Sequence, residues 1–172
     1  MSAFDTRSGL GRMAASLVAA GLLMGASLSL QAQDNKALDD LVRQAQSAMQ
    51  KGQPRDADNL LRKAIEMAPT RSDLYMLRSR ARDSSGKFDA ALEDANKYIE
   101  LEPTDAFGYL SRSRIFVSLD KPESALADAN KAIELEPDEP DAYYRRSDIY
   151  LEMGKKDEAK ADEKKADELD KR

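Results

Sequence analysis

The sequence predicts an all-α fold, a helical-repeat solenoid, on three observations. Pro69, Pro103 and Pro137 recur every 34 residues. Each closes a similar phrase: Ala64-Ile65-Glu66-Met67-Ala68, Tyr98-Ile99-Glu100-Leu101-Glu102 and Ala132-Ile133-Glu134-Leu135-Glu136. A period of this length marks stacked helix pairs rather than a single globular core. Counting four units from Leu38, Ser72, Ala106 and Pro140, position 8 holds Ala45, Ser79, Ser113 and Ser147, and position 20 holds Ala57, Ala91, Ala125 and Ala159. Small residues at fixed positions let two antiparallel helices approach closely. The last helix, Lys156 to Lys171, is nearly all Lys, Asp, Glu and Ala, the polar outer face that a repeat array needs where stacking stops.

The elements follow in order. Residues 1–32 have basic Arg7 and Arg12, an uncharged Met13–Leu30 stretch and Gln31-Ala32 before charge returns at Asp34. This is the layout of a secretory signal peptide, with cleavage after Ala32 and periplasmic or secreted destination. The alternative is an inner-membrane anchor formed by residues 13–30, just long enough to span a bilayer. Cleavage would leave no stable membrane insertion. The mature domain, 33–172, divides into units 38–71, 72–105, 106–139 and 140–172. Expected helices are 36–50 and 54–67, 71–84 and 88–101, 105–118 and 122–135, and 139–153 and 156–170, with Gln33 to Asn35 as a short cap. Gly52, Gly86, Asp120 and Gly154 share position 15, where a tight turn between the paired helices suits Gly or Asp.

Position 4 carries Leu41, Tyr75, Tyr109 and Tyr143, large side chains that fill the gap between units; position 30 carries Met67, Leu101, Leu135 and Leu169. Together these positions resemble the tetratricopeptide repeat family over about residues 38–171. The family's Trp, Leu and Gly at positions 4, 7 and 8 are replaced here by Tyr, Arg and Ser in the last three units. The resemblance implies a right-handed solenoid whose concave groove is lined by the first helix of each unit and holds peptides. Position 24, usually large and apolar, runs Leu61, Ala95, Ala129 and then Glu163, which marks the fourth unit's second helix as the C-terminal cap.

Arg78, Arg112 and Arg146 occupy position 7, and Asp94, Asp128 and Asp162 occupy position 23; unit one has Gln44 and Leu60 instead. Joint presence and joint absence within a unit predict three intra-unit ion pairs that set helix registry.

The chain has no His, Cys or Trp. That removes imidazole acid–base chemistry, thiol nucleophiles, disulfides and nearly all zinc sites. The acidic turn Glu136–Asp141 lacks the glycine-bent ligand order of a calcium loop, and its residues suit a helix start. No catalytic residue, metal or cofactor is expected, and the protein is not expected to be an enzyme. The formal net charge is −5. Removing residues 1–32 takes away two Arg and one Asp, leaving 25 basic and 31 acidic residues of the original 27 and 32. That balance argues against nucleic acid, which needs basic patches.

A second stripe runs along each first helix at positions 2, 5, 9 and 12, with position 6 at its edge. These spacings share one helix face. The candidate groove residues are Met76, Arg80, Phe107, Leu110, Arg114, Val117, Tyr144 and Arg145. Arg80 and Arg114 share position 9 in successive units, flanked by an apolar floor. An apolar floor with two forked cations suits an extended protein or peptide partner with an acidic side chain or C-terminal carboxylate. In the opposing arrangement the apolar residues pack within the array and each Arg pairs with Asp73, Asp83 or Asp148. The functional expectation is an exported adaptor or scaffold that binds a protein or peptide, serving cell-envelope assembly or secretion. The rival is a structural, self-associating spacer.

Overall fold

A computed structural model describes residues 32–171. The chain divides into two units, Met1–Asp40 and Leu41–Arg172. In the first, the described residues 32–40 are helical, including Gln33 to Asn35, which were expected as a cap. The leader segment lies outside the described residues apart from Ala32.

The described residues hold eight helices and no strands. They are α1 (32–50), α2 (Pro54–Met67), α3 (Ser72–Ser84), α4 (Phe88–Leu101), α5 (Ala106–Ser118), α6 (Pro122–Leu135), α7 (Pro140–Glu152) and α8 (Lys156–Leu169). Each helix from α2 onward packs on its neighbours in sequence, as a solenoid requires.

The ends of the elements follow from local chemistry. Pro54, Pro122 and Pro140 open α2, α6 and α7, where the missing N–H costs nothing. The position-15 residues close the first helix of each pair. Gly52, Gly86 and Gly154 have φ of 70°, 75° and 76°, and Asp120 reaches φ 55° in the same slot. The following amide reaches back five residues in every unit: Gln53 N–H to Ala48 at 2.9 Å, Lys87 to Arg82 at 2.9 Å, Lys121 to Phe116 at 2.9 Å and Lys155 to Tyr150 at 2.8 Å. That bond and the left-handed residue before it satisfy carbonyls the helix would otherwise orphan.

The 34-residue prolines gain a second role. Tyr75 Oη donates to the Pro69 carbonyl at 2.9 Å, Tyr109 to Pro103 at 3.0 Å and Tyr143 to Pro137 at 2.9 Å. The gap-filling tyrosine of one unit is thus tied to the closing turn of the unit before it.

All four position-20 alanines are essentially inaccessible, as are Ala64, Ala132 and Ala166 at position 27. Position 27 of the second unit is instead Tyr98. Room for its ring comes from Gly108, where a Cβ would lie 2.9 Å from the Tyr98 ring and 3.2 Å from Ile99. Tyr98 donates its hydroxyl to Asp105, which also accepts from Phe107 N at 3.0 Å as the cap of α5.

The three expected ion pairs are present. Arg78 meets Asp94 at 2.8 and 2.6 Å, Arg112 meets Asp128 at 2.8 and 2.7 Å, and Arg146 meets Asp162 at 2.7 and 2.7 Å. Each is a two-pronged guanidinium–carboxylate contact between the two helices of one unit. Two of the arginines also reach the preceding unit: Arg112 Nη1 donates to Asn96 at 2.8 Å and Arg146 Nη1 to Asn130 at 2.7 Å. The first two units are joined differently. Asp58 of α2 accepts from Arg82 of α3 at 3.1 Å and from Lys87 at 2.9 Å.

On α8, only Ala159, Asp162, Ala166 and Leu169 are buried. Glu163 is exposed, as a terminal face should be.

Candidate functional site

The first helices of units two, three and four together line a cleft of about 360 Å³. From α3 comes Arg80; from α5 come Phe107, Leu110, Ser111 and Arg114; from α7 come Asp141, Tyr144, Arg145 and Asp148. A second depression, about 420 Å³, is lined by Gln46, Met49 and Gln50 of α1 with Leu77 and Arg80 of α3. Arg80 borders both, so the two form one run along α1, α3, α5 and α7.

Six of the eight sequence-derived residues converge on the main cleft: Arg80, Phe107, Leu110, Arg114, Tyr144 and Arg145. Met76 and Val117 do not. Met76 is 7 % exposed and packs with Tyr75, Tyr98 and Ile99. Tyr98 replaces an alanine at position 27, so its ring joins the core that Met76 enters. Val117 packs against the cluster of Ala125, Ala129 and Ile149. Neither residue is floor of the cleft. Gln50 was missed because it stands one place past the stripe.

Phe107 is the exposed apolar feature here, at 51 % of its surface. A large aromatic left in water within a concave, partly apolar cleft is the kind of surface that marks a contact site.

The two position-9 arginines are not equivalent. Arg114 Nη2 lies 3.2 Å from Asp83 on α3, and its buried Nε has no hydrogen-bond partner. It therefore pins α5 to α3. Arg80 makes no hydrogen bond or ion pair among the described residues, although its neighbour in the stripe does. Arg145 approaches Asp148 only to 3.8 Å. Tyr144 Oη lies 2.8 Å from Asp167 and 3.0 Å from Asp170, two carboxylates that share its single proton as acceptors. The Asp167 bond first, then loss of water, then the Asp170 bond hold this phenol well above its ordinary pKa. Tyr144 thus stays a neutral donor and ties the cleft wall to the end of α8.

Among the described residues, no group of three or more His, Cys, Asp or Glu side chains is placed to hold a metal ion. No helix among them is long and apolar enough to cross a membrane.

An array of paired helices, each pair turned by a left-handed Gly or Asp, defines a helical-repeat solenoid. Models of the tetratricopeptide repeat match residues 42–106, 108–139 and 129–161. The chain carries tetratricopeptide repeats. No curated protein matches it in sequence. Among solved structures it is similar to MamA, with 25 % identity over 78 % of both chains and a TM-score of 0.71. It is also similar in fold to a thermophilic TPR protein of Thermus thermophilus, at 22 % identity, covering 77 % of this chain and 74 % of that one, TM-score 0.69. A third likeness of fold is to the first TPR of Spaghetti (RPAP3), solved bound to an HSP90 peptide. There the identity is 23 %, the coverage 69 % of this chain and 94 % of that one, and the TM-score 0.64.

Proposed function

We propose that this protein is an adaptor that binds a protein or peptide segment in the cleft lined by α3, α5 and α7. The observation that carries the proposal is the half-exposed Phe107 beside the unpartnered Arg80 in that cleft. Tetratricopeptide repeats support it as a class, and RPAP3 is a repeat protein of the same fold in a peptide-bound state. The ligand segment is extended and carries an acidic side chain or terminal carboxylate that Arg80 receives, with an apolar side chain against Phe107 and Leu110. The role is binding rather than catalysis, in keeping with a sequence that has neither His nor Cys.

The leader composition supports export, with the mature chain starting near Gln33 and working in envelope assembly or secretion. Mass spectrometry of the exported protein would give that start; recovery at full length in the membrane fraction would overturn it.

For the cleft, the test is partner capture by the tagged mature chain, compared with Phe107→Ser and Arg80→Ala. Both variants keep their helicity, because neither side chain bridges two helices. Both should lose partner, the first without dependence on salt. Equal capture by all three chains would place the binding surface elsewhere.

A further inference from the structure

The main cleft contains six charged residues when Asp83, behind Arg114, is counted with its lining. Four are paired with one another: Arg114 firmly to the largely buried Asp83 at 3.2 Å, and Arg145 loosely to the exposed Asp148 at 3.8 Å. Two have no hydrogen bond or ion pair among the described residues: Arg80 on α3 and Asp141 on α7. They stand on opposite walls, and both are exposed. Phe107 and Leu110 of α5 lie on the helix between them.

From this placement we infer that the cleft reads a bipolar peptide: an acidic side chain at Arg80, an apolar side chain on Phe107 and Leu110, and a basic side chain at Asp141. The inference rests on the cleft reading above and specifies its occupant. A uniformly acidic segment satisfies Arg80 but brings like charge to Asp141. A uniformly basic one makes the reverse error. Only a segment whose charges are separated across an apolar residue meets both free groups with opposite sign, and like-charge juxtaposition is an effective barrier to wrong partners.

The span is consistent with a short linear motif. Packed helices lie about 8–10 Å apart, so α3 to α7 is roughly 16–20 Å across the cleft, and Arg80 at position 9 stands about 10 Å further along its helix than Asp141 at position 2. The two charges are then about 19–22 Å apart, and an extended chain advances about 3.3 Å per residue, so acidic and basic residues fall about six to seven positions apart. The paired charges sharpen the selection. Arg114 cannot turn to the ligand without leaving Asp83, which is largely buried, without its partner. Among the described residues that leaves Arg80 as the one cleft cation with no pair at all, which fits a single internal carboxylate better than a clustered acidic tail.

The test is selection of a phage-displayed library of random 12-residue peptides on the full mature chain and on the charge-exchanged variant Arg80→Asp/Asp141→Lys. Circular dichroism and thermal melting confirm that the variant is folded. On the unaltered chain the enriched peptides should carry acidic, apolar and basic residues in one fixed order. On the variant that order should reverse. Synthetic peptides of each order should differ about ten-fold or more in affinity, with the preference inverted between the two proteins. Enriched peptides without a charge order, an order unchanged on the variant, or no enrichment at all would overturn the inference. The wider cleft reading is judged separately, by partner capture with Phe107→Ser, so the two can fail independently.

Discussion

Replacing Arg112 by Ala should destabilise the array by about 3 kcal/mol. The magnitude follows from what the side chain holds. Its Nε and Nη2 meet Asp128 at 2.8 and 2.7 Å, its Nη1 meets Asn96 at 2.8 Å, and its guanidinium lies 5.7 Å from the ring centres of Tyr109 and Phe116. The Asp128 side chain is only 7 % exposed and that of Arg112 21 %. Removing one partner from a buried pair costs about 3–5 kcal/mol, because the other charge is left without compensation. Partial access of water to the Arg112 side sets the expected value at the low end. Set against total stabilities of about 5–15 kcal/mol, that is a large loss. Urea denaturation followed by circular dichroism would measure it. Arg112→Met with Asp128→Leu, which removes both charges, should cost less than the two single changes added, by at least about 1 kcal/mol. Asn96→Ala should cost about 1 kcal/mol, the ordinary worth of one hydrogen bond. A loss under about 1 kcal/mol for Arg112→Ala, or strict additivity in the double variant, would refute the view that these pairs lock the two helices of a unit.

Two further outcomes follow from the packing. Gly108→Ala should destabilise the protein by about 1–2 kcal/mol, since the new methyl collides with the Tyr98 ring, yet in a Tyr98→Ala background, where only the 3.2 Å approach to Ile99 remains, the same change should cost clearly less; a destabilisation equal in both backgrounds would contradict the coupling. Burial alone would raise the Asp58 carboxyl, but hydrogen bonds from Lys87 and Arg82 outweigh it and hold the group below its ordinary value of 3.8. A depressed folded-state pKa gives stability that is present above the unfolded value and lost as pH falls through the folded one. The melting-temperature gap between the unaltered chain and Asp58→Asn should therefore be full at neutral pH and close as pH falls below about 4, whereas a pH-independent gap would dismiss the ion pair as its cause.

The helices were legible because the same small and turn-forming residues recur at fixed positions. The turn at Asp120 was legible for the same reason, since its slot holds glycine in the other units. The three Arg–Asp pairs could be read from their joint absence in unit one. Their extension to Asn96 and Asn130 could not, because it depends on how neighbouring units face each other. The cleft was legible as a stripe but not residue by residue. Met76 and Leu110 share position 5, yet Met76 is buried with Tyr98 while Leu110 lines the cleft. A single alanine-to-tyrosine exception on another helix decides that difference. Arg80 and Arg114 share position 9, and only the nearness of Asp83 separates the free arginine from the engaged one.

Photo-crosslinking from within the cleft tests the central claim most directly. A benzophenone amino acid would be placed at Phe107 in one variant and at Ala127, exposed on α6 and away from the cleft, in another. Both would be expressed in the native cell, irradiated and compared by mass spectrometry. Binding through the first-helix cleft predicts a discrete partner adduct from position 107 that Arg80→Ala abolishes, and none from position 127. Adducts from 127 but not 107, or adducts at 107 indifferent to Arg80, would contradict it.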